Sequence, residues 1–209
     1  YYIDRFEVTN EAYAEFLTAH GSMEDGNGNL LIDLPDPDTE IRQAGDTFSA
    51  VSAAVEDKPA IEISWYGAFE YCAWTGGRLP TEAEWEKAAR GTDERPYPWG
   101  DRFVEGDRCN SNSLVGTTTQ VDEFPEGRSA YGVWDMAGNV NEWCYDFYDE
   151  EYYENSPASN PRGPEGGQER VLRGGCHVDT RATLRSTHRG GAADTYTRET
   201  VGFRIAMSG

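Results

Sequence analysis

Residues Tyr131–Trp143 read Tyr-Gly-Val-Trp-Asp-Met-Ala-Gly-Asn-Val-Asn-Glu-Trp, and they are followed by Arg-Val-Leu-Arg-Gly-Gly at Arg170–Gly175 and Val-Gly-Phe-Arg-Ile at Val201–Ile205. The tryptophans of such blocks supply large buried areas, and the glycines permit tight turns. Between the second and third blocks, residues 176–200 are polar and follow neither a helical nor a strand period. An irregular polar segment between two ordered blocks is typical of a binding surface.

The composition predicts one α+β domain over 1–209 with little regular structure. The chain has 209 residues, of which 37% are hydrophobic and 12% aromatic, enough for a substantial core. Its 23 Gly and 10 Pro place much of the backbone in turns. Without a linker or an internal repeat, nothing divides the chain into two domains.

The net charge of −20 disfavours two classes of partner. Nucleic acids and anionic membrane surfaces both require clustered Lys and Arg. The acidic residues are explained either by solvation or by use of some of them as ligands of divalent cations.

The cysteines and the hydropathy leave the cellular compartment open. Four widely spaced Cys are too few for a disulfide scaffold or a zinc cluster. No apolar run approaches the roughly 20 residues that span a bilayer, so direct membrane insertion is not expected. With no visible leader, a cell surface, a virion and the cytoplasm all stay open.

Three helices are predicted, at Asn10–Ala19 behind an N-cap at Thr9, after Ser64, and from the capping box that begins at Thr81. Between the first two lies a turn-rich insertion at 21–58, in which a hairpin is expected around Leu30–Leu34.

Further blocks occur in a recognisable order and carry a family resemblance. Together with the three blocks above, they resemble the sulfatase-modifying-factor family, whose best-known members are formylglycine-generating enzymes. The resemblance implies a variant of the C-type lectin fold, with helices packed around small antiparallel sheets. The tryptophans Trp74, Trp85, Trp99, Trp134 and Trp143 are expected in its core. The further blocks are Glu7–Tyr13, Pro59–Trp65, Tyr71–Trp74, Gly77–Glu86 and Tyr97–Gly100.

The resemblance also implies calcium. The positions at which the family binds it, through two side chains and two carbonyls, are here Asp135, Gly138, Val140 and Glu142. Hard carboxylate and carbonyl oxygens suit this ion. The alternative is that Glu142 is a surface acid and Asp135 caps a turn.

A second calcium site of the family would use the side chain of Asn112 and the carbonyl of Ser113. Its usual partners lie in an acidic loop, which is shortened here to 114–119.

Copper is not expected. The family's enzymes bind copper(I) through two cysteines shortly after the Gly-Gly pair, and the corresponding residues here are Asp179 and Leu184, which offer no thiolate. Cys176 and His177 are adjacent, and neighbours on an extended strand point to opposite faces, which disfavours a nucleophile and base pair. Enzymatic activity is therefore doubtful.

The content of 176–200 also resembles the variable proteins of diversity-generating retroelements, which display changeable side chains on this fold. That resemblance implies a binding surface for a protein or another macromolecule. The candidate ligand-binding residues are His177, Val178, Asp179, Thr180, Arg181, Thr183, His188, Asp194, Tyr196 and Arg198.

Two other interpretations stay open. One is an oxidoreductase or maturation factor with an altered active site. The other is a non-catalytic acidic interaction subunit, whose sign would be an exposed apolar patch outside 177–200.

Overall fold

A computed structural model describes residues 1–104 and 106–209. It confirms an α+β class with short elements, and no helix in the described ranges is long and apolar enough to cross a membrane. The helices are α1 (Asn10–His20), α2 (Trp65–Trp74) and α3 (Glu82–Arg90), and two 3-10 turns lie at Pro125–Gly127 and Tyr152–Glu154. The strands are β1 (Tyr2–Ile3), β2 (Ile41–Ala44), β3 (Thr47–Ala50), β4 (Asn141–Phe147), β5 (Arg170–Arg173), β6 (Gly190–Ala192), β7 (Val201–Gly202) and β8 (Ala206–Met207).

All three predicted helix starts are confirmed by their caps. The hydroxyls of Thr9, Ser64 and Thr81 each accept a hydrogen bond from the amide three residues further on. At α3 the Glu84 carboxylate also accepts from the Thr81 amide at 2.9 Å, which completes the capping box. Side-chain caps satisfy amides that have no partner inside the helix, so these starts are encoded locally.

The main sheet has the order β6-β5-β4-β7. Strand β4 runs antiparallel to β5 and parallel to β7, pairing Glu142 with Arg173 on one side and with Gly202 on the other. A separate antiparallel ladder joins the two ends of the chain, because Tyr2 pairs with Met207 in β1 and β8. The segment 193–200 crosses from the β6 edge of the sheet to β7.

The hairpin of the insertion lies further along the chain than predicted. Leu30 and Ile32 make only isolated antiparallel bridges, to Glu24 and to Ile63, and residues 30–34 form no strand pair of their own among the described residues. The hairpin is β2–β3, closed by the two residues Gly45 and Asp46. A Gly-Asp pair between two short strands is a hairpin signal that outweighs the apolar run at Leu30.

The core around α1 and α2 is built from aromatic rings. The Tyr13 ring lies 5.3 Å from Phe16, 5.6 Å from Tyr71 and 5.9 Å from Phe203, measured between centroids. These tilted, stacked and edge-on contacts are favourable beyond the area that they bury. Block Val201–Ile205 therefore closes the core over the two helices.

The tryptophans divide between core and surface. Trp85 and Trp143 are fully buried, as predicted. Trp99 and Trp134 are only part-buried, and Trp74 at the end of α2 is 49% exposed, so the prediction of a core role for Trp74 is wrong.

Candidate functional site

The Asp135 carboxylate is buried, and no described residue donates a hydrogen bond to it. Its backbone adopts a left-handed φ of 52°, and both of its side-chain oxygens are buried without a partner among the described residues. Burial raises its pKa to about 8, against the opposing effect of Arg204. A turn cap would accept a backbone hydrogen bond, so the interpretation of Asp135 as a cap is wrong.

The Glu142 carboxylate is held by a buried ion pair. Arg204 donates to it through Nε and Nη2, both at 2.6 Å, and Trp85 Nε1 donates to Oε2 at 2.8 Å. Both partners of the pair are fully buried, so Glu142 is not a surface acid. A carboxylate has about four acceptor positions, so these three bonds leave room for one further partner at Oε1.

Gly138 and Val140 lie in the buried loop between Asp135 and Glu142. The φ of Gly138 is 89°, and a Cβ there would lie 2.2 Å from the carbonyl oxygen of Asn110. Only glycine fits this position, which explains the Gly in the motif. Val140 is fully buried at the entrance to β4.

Glu7, which was not among the predicted ligands, belongs to the same cluster. Its side chain is 2% exposed. Its Oε2 accepts from Asn139 Nδ2 at 2.8 Å, whereas Oε1 has no partner among the described residues. Burial, then Asp135 and Glu142, raise its pKa well above the usual range. The unpartnered oxygens of Glu7 and Asp135 are hard donors and fit calcium.

The two residues predicted for a second calcium site lie on the surface. Asn112 and Ser113 are exposed, with left-handed φ values of 54° and 55°, and their amides donate to carbonyls of segment 176–200 at 2.8 Å. Nearby, the side-chain oxygens of Asn110 and Thr118 are buried and have no hydrogen-bond partner within the described part of the chain. A second cation site stays a prediction. Because its side-chain oxygen is buried, Asn110 is a better candidate ligand for that site than the exposed Asn112.

The two positions that correspond to the copper cysteines have structural roles. Asp179 Oδ2 accepts from the Cys176 amide at 2.9 Å and from its thiol at 3.2 Å, which closes a tight turn. Leu184 is fully buried in an apolar cluster with Cys109 and Ala137. Burial, followed by the nearby Asp179 charge, raises the pKa of the Cys176 thiol to about 12, which disfavours a thiolate nucleophile.

The first half of the predicted binding segment is only partly on the surface. Val178, Thr180 and Arg181 are exposed, whereas Thr183 and His188 are part-buried. The prediction that His177 belongs to the exposed binding surface is wrong, because this residue is only 4% exposed. Its amide donates to the Asn139 carbonyl at 2.9 Å. This half also packs on the loop that carries Tyr97, whose hydroxyl donates to the Arg181 carbonyl at 3.2 Å.

The second half of the segment is anchored to the start of α2. The Trp65 amide donates to the Asp194 carbonyl at 3.0 Å, and the Tyr66 hydroxyl donates to the Asp194 carboxylate at 2.8 Å. Tyr196 and Arg198 are exposed, with the Arg198 guanidinium 5.7 Å from the Tyr196 ring centroid. The ten predicted residues thus lie against two different parts of the fold.

An exposed aromatic patch lies beside the second half. Phe69 stacks on Trp65 with centroids 5.0 Å apart, and the Arg170 guanidinium lies 3.7 Å from the Trp65 ring and 3.6 Å from the Phe147 ring. Phe69 is 38% and Tyr145 42% exposed. We call Tyr66, Phe69, Tyr145 and Arg170 the aromatic patch. Because Tyr66 bonds Asp194, the patch is continuous with 193–198.

The fold and the buried loop define a domain of the formylglycine-generating-enzyme type, a variant of the C-type lectin fold. The family model described as sulfatase-modifying factor enzyme 1-like domain matches residues 1–208, and the chain belongs to this family.

Similar proteins carry several different names. The chain is 39% identical over 209 residues to "Serine/threonine-protein kinase pkn1" of Chlamydia caviae, covering 99% of this chain and 32% of that protein. It is 33% identical to "Formylglycine-generating enzyme" of Streptomyces coelicolor, covering 99% and 77%. The chain spans about a third of the length of the Chlamydia relatives.

Solved structures show the same fold. PvdO from Pseudomonas aeruginosa superposes with a TM-score of 0.75 at 26% identity, covering 97% of this chain and 78% of that one. The Treponema denticola variable protein 1 superposes with a TM-score of 0.70 at 21% identity, covering 97% and 82%. The predicted likeness to variable proteins is thus confirmed at the level of fold.

Proposed function

We propose that this domain binds a protein partner through the aromatic patch and residues 193–198, without copper chemistry. The observation that carries the proposal is the Tyr66–Asp194 hydrogen bond at 2.8 Å, which joins the exposed rings to the predicted binding segment. Tyr and Arg side chains supply much of the energy at protein interfaces. Here Tyr145, Tyr196 and Arg198 stand exposed on an anchored backbone.

The proposal combines two of the sequence-based interpretations. An exposed apolar patch was the expected sign of an interaction subunit, and residues 193–198 were part of the expected display segment. The partner's surface would carry aliphatic or aromatic groups for Phe69 and Tyr145. It would also carry an acceptor for Arg198, which reaches solvent beside Tyr196.

A peptide library displayed on phage tests this surface. We expect selected peptides to lose at least about tenfold in affinity against Tyr196→Ala and Arg198→Ala, as residues at the centre of an interface do. Arg181→Ala is the matched control, since Arg181 is also exposed but lies in the other half of the segment. Peptides that respond to Arg181→Ala and ignore Tyr196→Ala would refute the proposal, as would a library that yields no binder.

Calcium is proposed as the resident ion. Asp135 and Glu142 would hold it with the carbonyls of Gly138 and Val140, and it would supply positive charge to a buried acidic loop. The loop supports the display segment directly, because the Asn139 carbonyl accepts from the His177 amide at 2.9 Å. Metal analysis of the purified protein, before and after treatment with a chelator, tests this assignment.

The oxidoreductase alternative makes a separate prediction. With Asp179 in a tight turn and Leu184 in an apolar cluster, neither position offers a soft ligand for copper(I). We expect no oxygen consumption above a copper blank when the protein is given copper(I) and a cysteine-containing peptide. Turnover in that assay would restore the alternative.

Diversification by a retroelement is proposed as the genetic origin of the segment. The proposal expects a reverse transcriptase gene nearby and a second, near-identical copy of the coding sequence for 170–204. A gene neighbourhood that contains neither would limit the proposal to a fixed binding surface.

A further inference from the structure

Three arginines line a surface cleft beside the 3-10 turn at Pro125–Gly127. The cleft has a volume of about 320 Å³, and its lining includes Arg95, Arg108 and Arg128 together with Trp99. The whole chain has 38 acidic residues against only 18 Lys and Arg, so this concentration of arginine opposes the charge of the molecule. We call it the arginine cleft. A local surplus of positive charge on an acidic protein indicates an anionic ligand.

Arg108 and Arg128 are both anchored to the 3-10 turn. Arg108 Nη1 donates to the Glu126 carbonyl at 3.1 Å. Arg128 Nε donates to the Pro125 carbonyl at 2.6 Å, so the two guanidiniums are held by consecutive residues of one turn. Gly127 lets the turn pack against Arg108, because a Cβ at this glycine would collide with the Arg108 carbonyl. The two side chains are therefore positioned before a ligand binds, which lowers the entropic cost of binding.

The charges of Arg108 and Arg128 are not paired within the described part of the chain. Arg95 is paired, since Asp93 accepts from its Nε and Nη2 at 2.7 and 2.6 Å. Arg108 and Arg128 form no ion pair with a described residue. Each uses one nitrogen on a carbonyl, which leaves two nitrogens of each guanidinium without an acceptor among the described residues. Two like charges held close together repel each other, and an anion that bridges them removes this repulsion.

The nearby acids do not cancel this positive charge. Glu126 is the acid among the described lining residues, and its side chain is exposed. With Asp93 also counted, three arginines face two carboxylates, so the balance at the cleft stays positive. Acids elsewhere on the molecule contribute little, because the Debye length is only about 8 Å at physiological ionic strength.

The shape of the donors indicates the ligand. A guanidinium is a planar fork that bonds two oxygens of a phosphate group at once, which a compact ammonium cannot do. A phosphate monoester carries close to two negative charges at neutral pH, which matches the two unpaired guanidiniums. Trp99 adds an aromatic wall, because its ring stacks on Tyr97 at 5.6 Å between centroids and its Nε1 donates to the Arg102 carbonyl at 2.9 Å.

We propose that the arginine cleft binds a phosphate monoester, with Arg108 and Arg128 on the phosphate and Trp99 against the group that carries it. The cleft shares no residue with the aromatic patch, with 193–198 or with the predicted calcium ligands. It is therefore a second binding site, which stands or falls independently of the function proposed above.

Phenyl phosphate is the probe for this site, and its affinity is measured by titration calorimetry at neutral pH and physiological ionic strength. Arg128→Gln should weaken binding by at least about tenfold, because it removes charge-assisted hydrogen bonds to the phosphate. Arg102→Gln is the matched control, since Arg102 is exposed and close in sequence but does not line the cleft. It removes the same charge and should change the affinity by less than about twofold.

Glu126→Gln gives a result that misfolding cannot imitate. Removing this acid from the lining should tighten the binding of phenyl phosphate by about two- to fivefold. Phenyl sulfate, which carries a single charge, should bind more weakly than phenyl phosphate. Inorganic phosphate should also bind more weakly, because it makes no contact with Trp99.

Several results would overturn the proposal or one of its parts. A wild-type protein that gives no binding heat with phenyl phosphate, or an Arg128→Gln variant with unchanged affinity, would refute the site. Equal losses in Arg102→Gln and Arg128→Gln would reduce the effect to net charge. Phenyl sulfate that binds as tightly as phenyl phosphate would refute the choice of a doubly charged ligand, and equally tight inorganic phosphate would remove Trp99 from the site. Binding that disappears in EDTA would assign the phosphate to a metal ion.

Discussion

Replacing Arg204 by Met should lower the free energy of unfolding of this domain more than any substitution on its surface. Arg204 is fully buried. Besides the two bonds to Glu142, it donates to the carbonyls of Asp4, Arg5 and Trp134 at 2.9–3.2 Å. Breaking a buried pair by removing one partner costs about 3–5 kcal/mol, because the other charge stays buried and unpaired. The orphaned carbonyls place the expected loss near the upper end, at about 4–5 kcal/mol.

Urea unfolding measures this loss. With a slope of about 2–3 kcal/mol per molar urea, the midpoint should fall by roughly 1.3–2.5 M relative to the wild type. Arg42→Met is the control, because Arg42 is exposed on β2 and donates a long hydrogen bond of 3.4 Å to the Ser49 hydroxyl. Its free energy of unfolding should stay within roughly 0.5 kcal/mol of the wild-type value.

The double variant Glu142→Gln/Arg204→Met isolates the pair itself. Because it leaves no unpaired charge at Glu142, it should lose less stability than the sum of the two single variants, by about 1–3 kcal/mol. Two results would refute the view that this pair organises the buried cluster. One is strict additivity of the losses in the free energy of unfolding, and the other is an Arg204→Met variant whose free energy of unfolding lies within about 1 kcal/mol of the wild-type value.

Three further predictions concern other parts of the molecule. Burial, then Asp36, Glu199 and Asp33, raise the pKa of Glu62 to about 7. The stability that Glu62 contributes is therefore full below its unfolded pKa of about 4.5 and is lost as the pH rises through 7. Glu62→Gln should consequently flatten the dependence of the melting temperature on pH between 5 and 8. Gly138→Ala should lower the free energy of unfolding by about 3 kcal/mol or more, because the added Cβ would meet the Asn110 carbonyl. Gly28 has a similar φ of 84° and no atom within 4 Å of an added Cβ, so Gly28→Ala should cost only about 1–2 kcal/mol of backbone strain. Equal losses in the two variants would contradict the clash at Gly138. All four cysteines are buried, so a thiol reagent should label none of them quickly until the protein is denatured. Rapid labelling of Cys176 in the native state would contradict its raised pKa.

The elements that could be predicted are those encoded by neighbouring residues. Thr81 and Glu84 are three positions apart, and their reciprocal hydrogen bonds need no other part of the chain. The motif at Asp135 and Glu142 was likewise recognisable, and the structure buries both side chains.

The features that could not be predicted depend on contacts between distant residues. Glu7 meets Asn139 across 132 positions, so no local pattern links it to the loop. Gly174 and Gly175, shortly before His177, have left-handed φ values of 96° and 70° and turn the chain so that His177 points inward. The alternation of side chains along a strand cannot predict this burial. The exposure of Trp74 depends in the same way on where α2 ends relative to α1.

The ladder between β1 and β8 has a mechanical consequence. Because Tyr2 pairs with Met207 and Ile3 with Ala206 in antiparallel register, a force applied to the two ends of the chain pulls across these strands. Their hydrogen bonds would then open one after another. In strands pulled along their length, by contrast, all the hydrogen bonds would bear the force at the same time. The next backbone bond in line joins the Asp4 amide to the Ile205 carbonyl, immediately beside Arg204. Tension applied at Tyr1 and Gly209 is thus transmitted within a few residues to the buried acidic cluster.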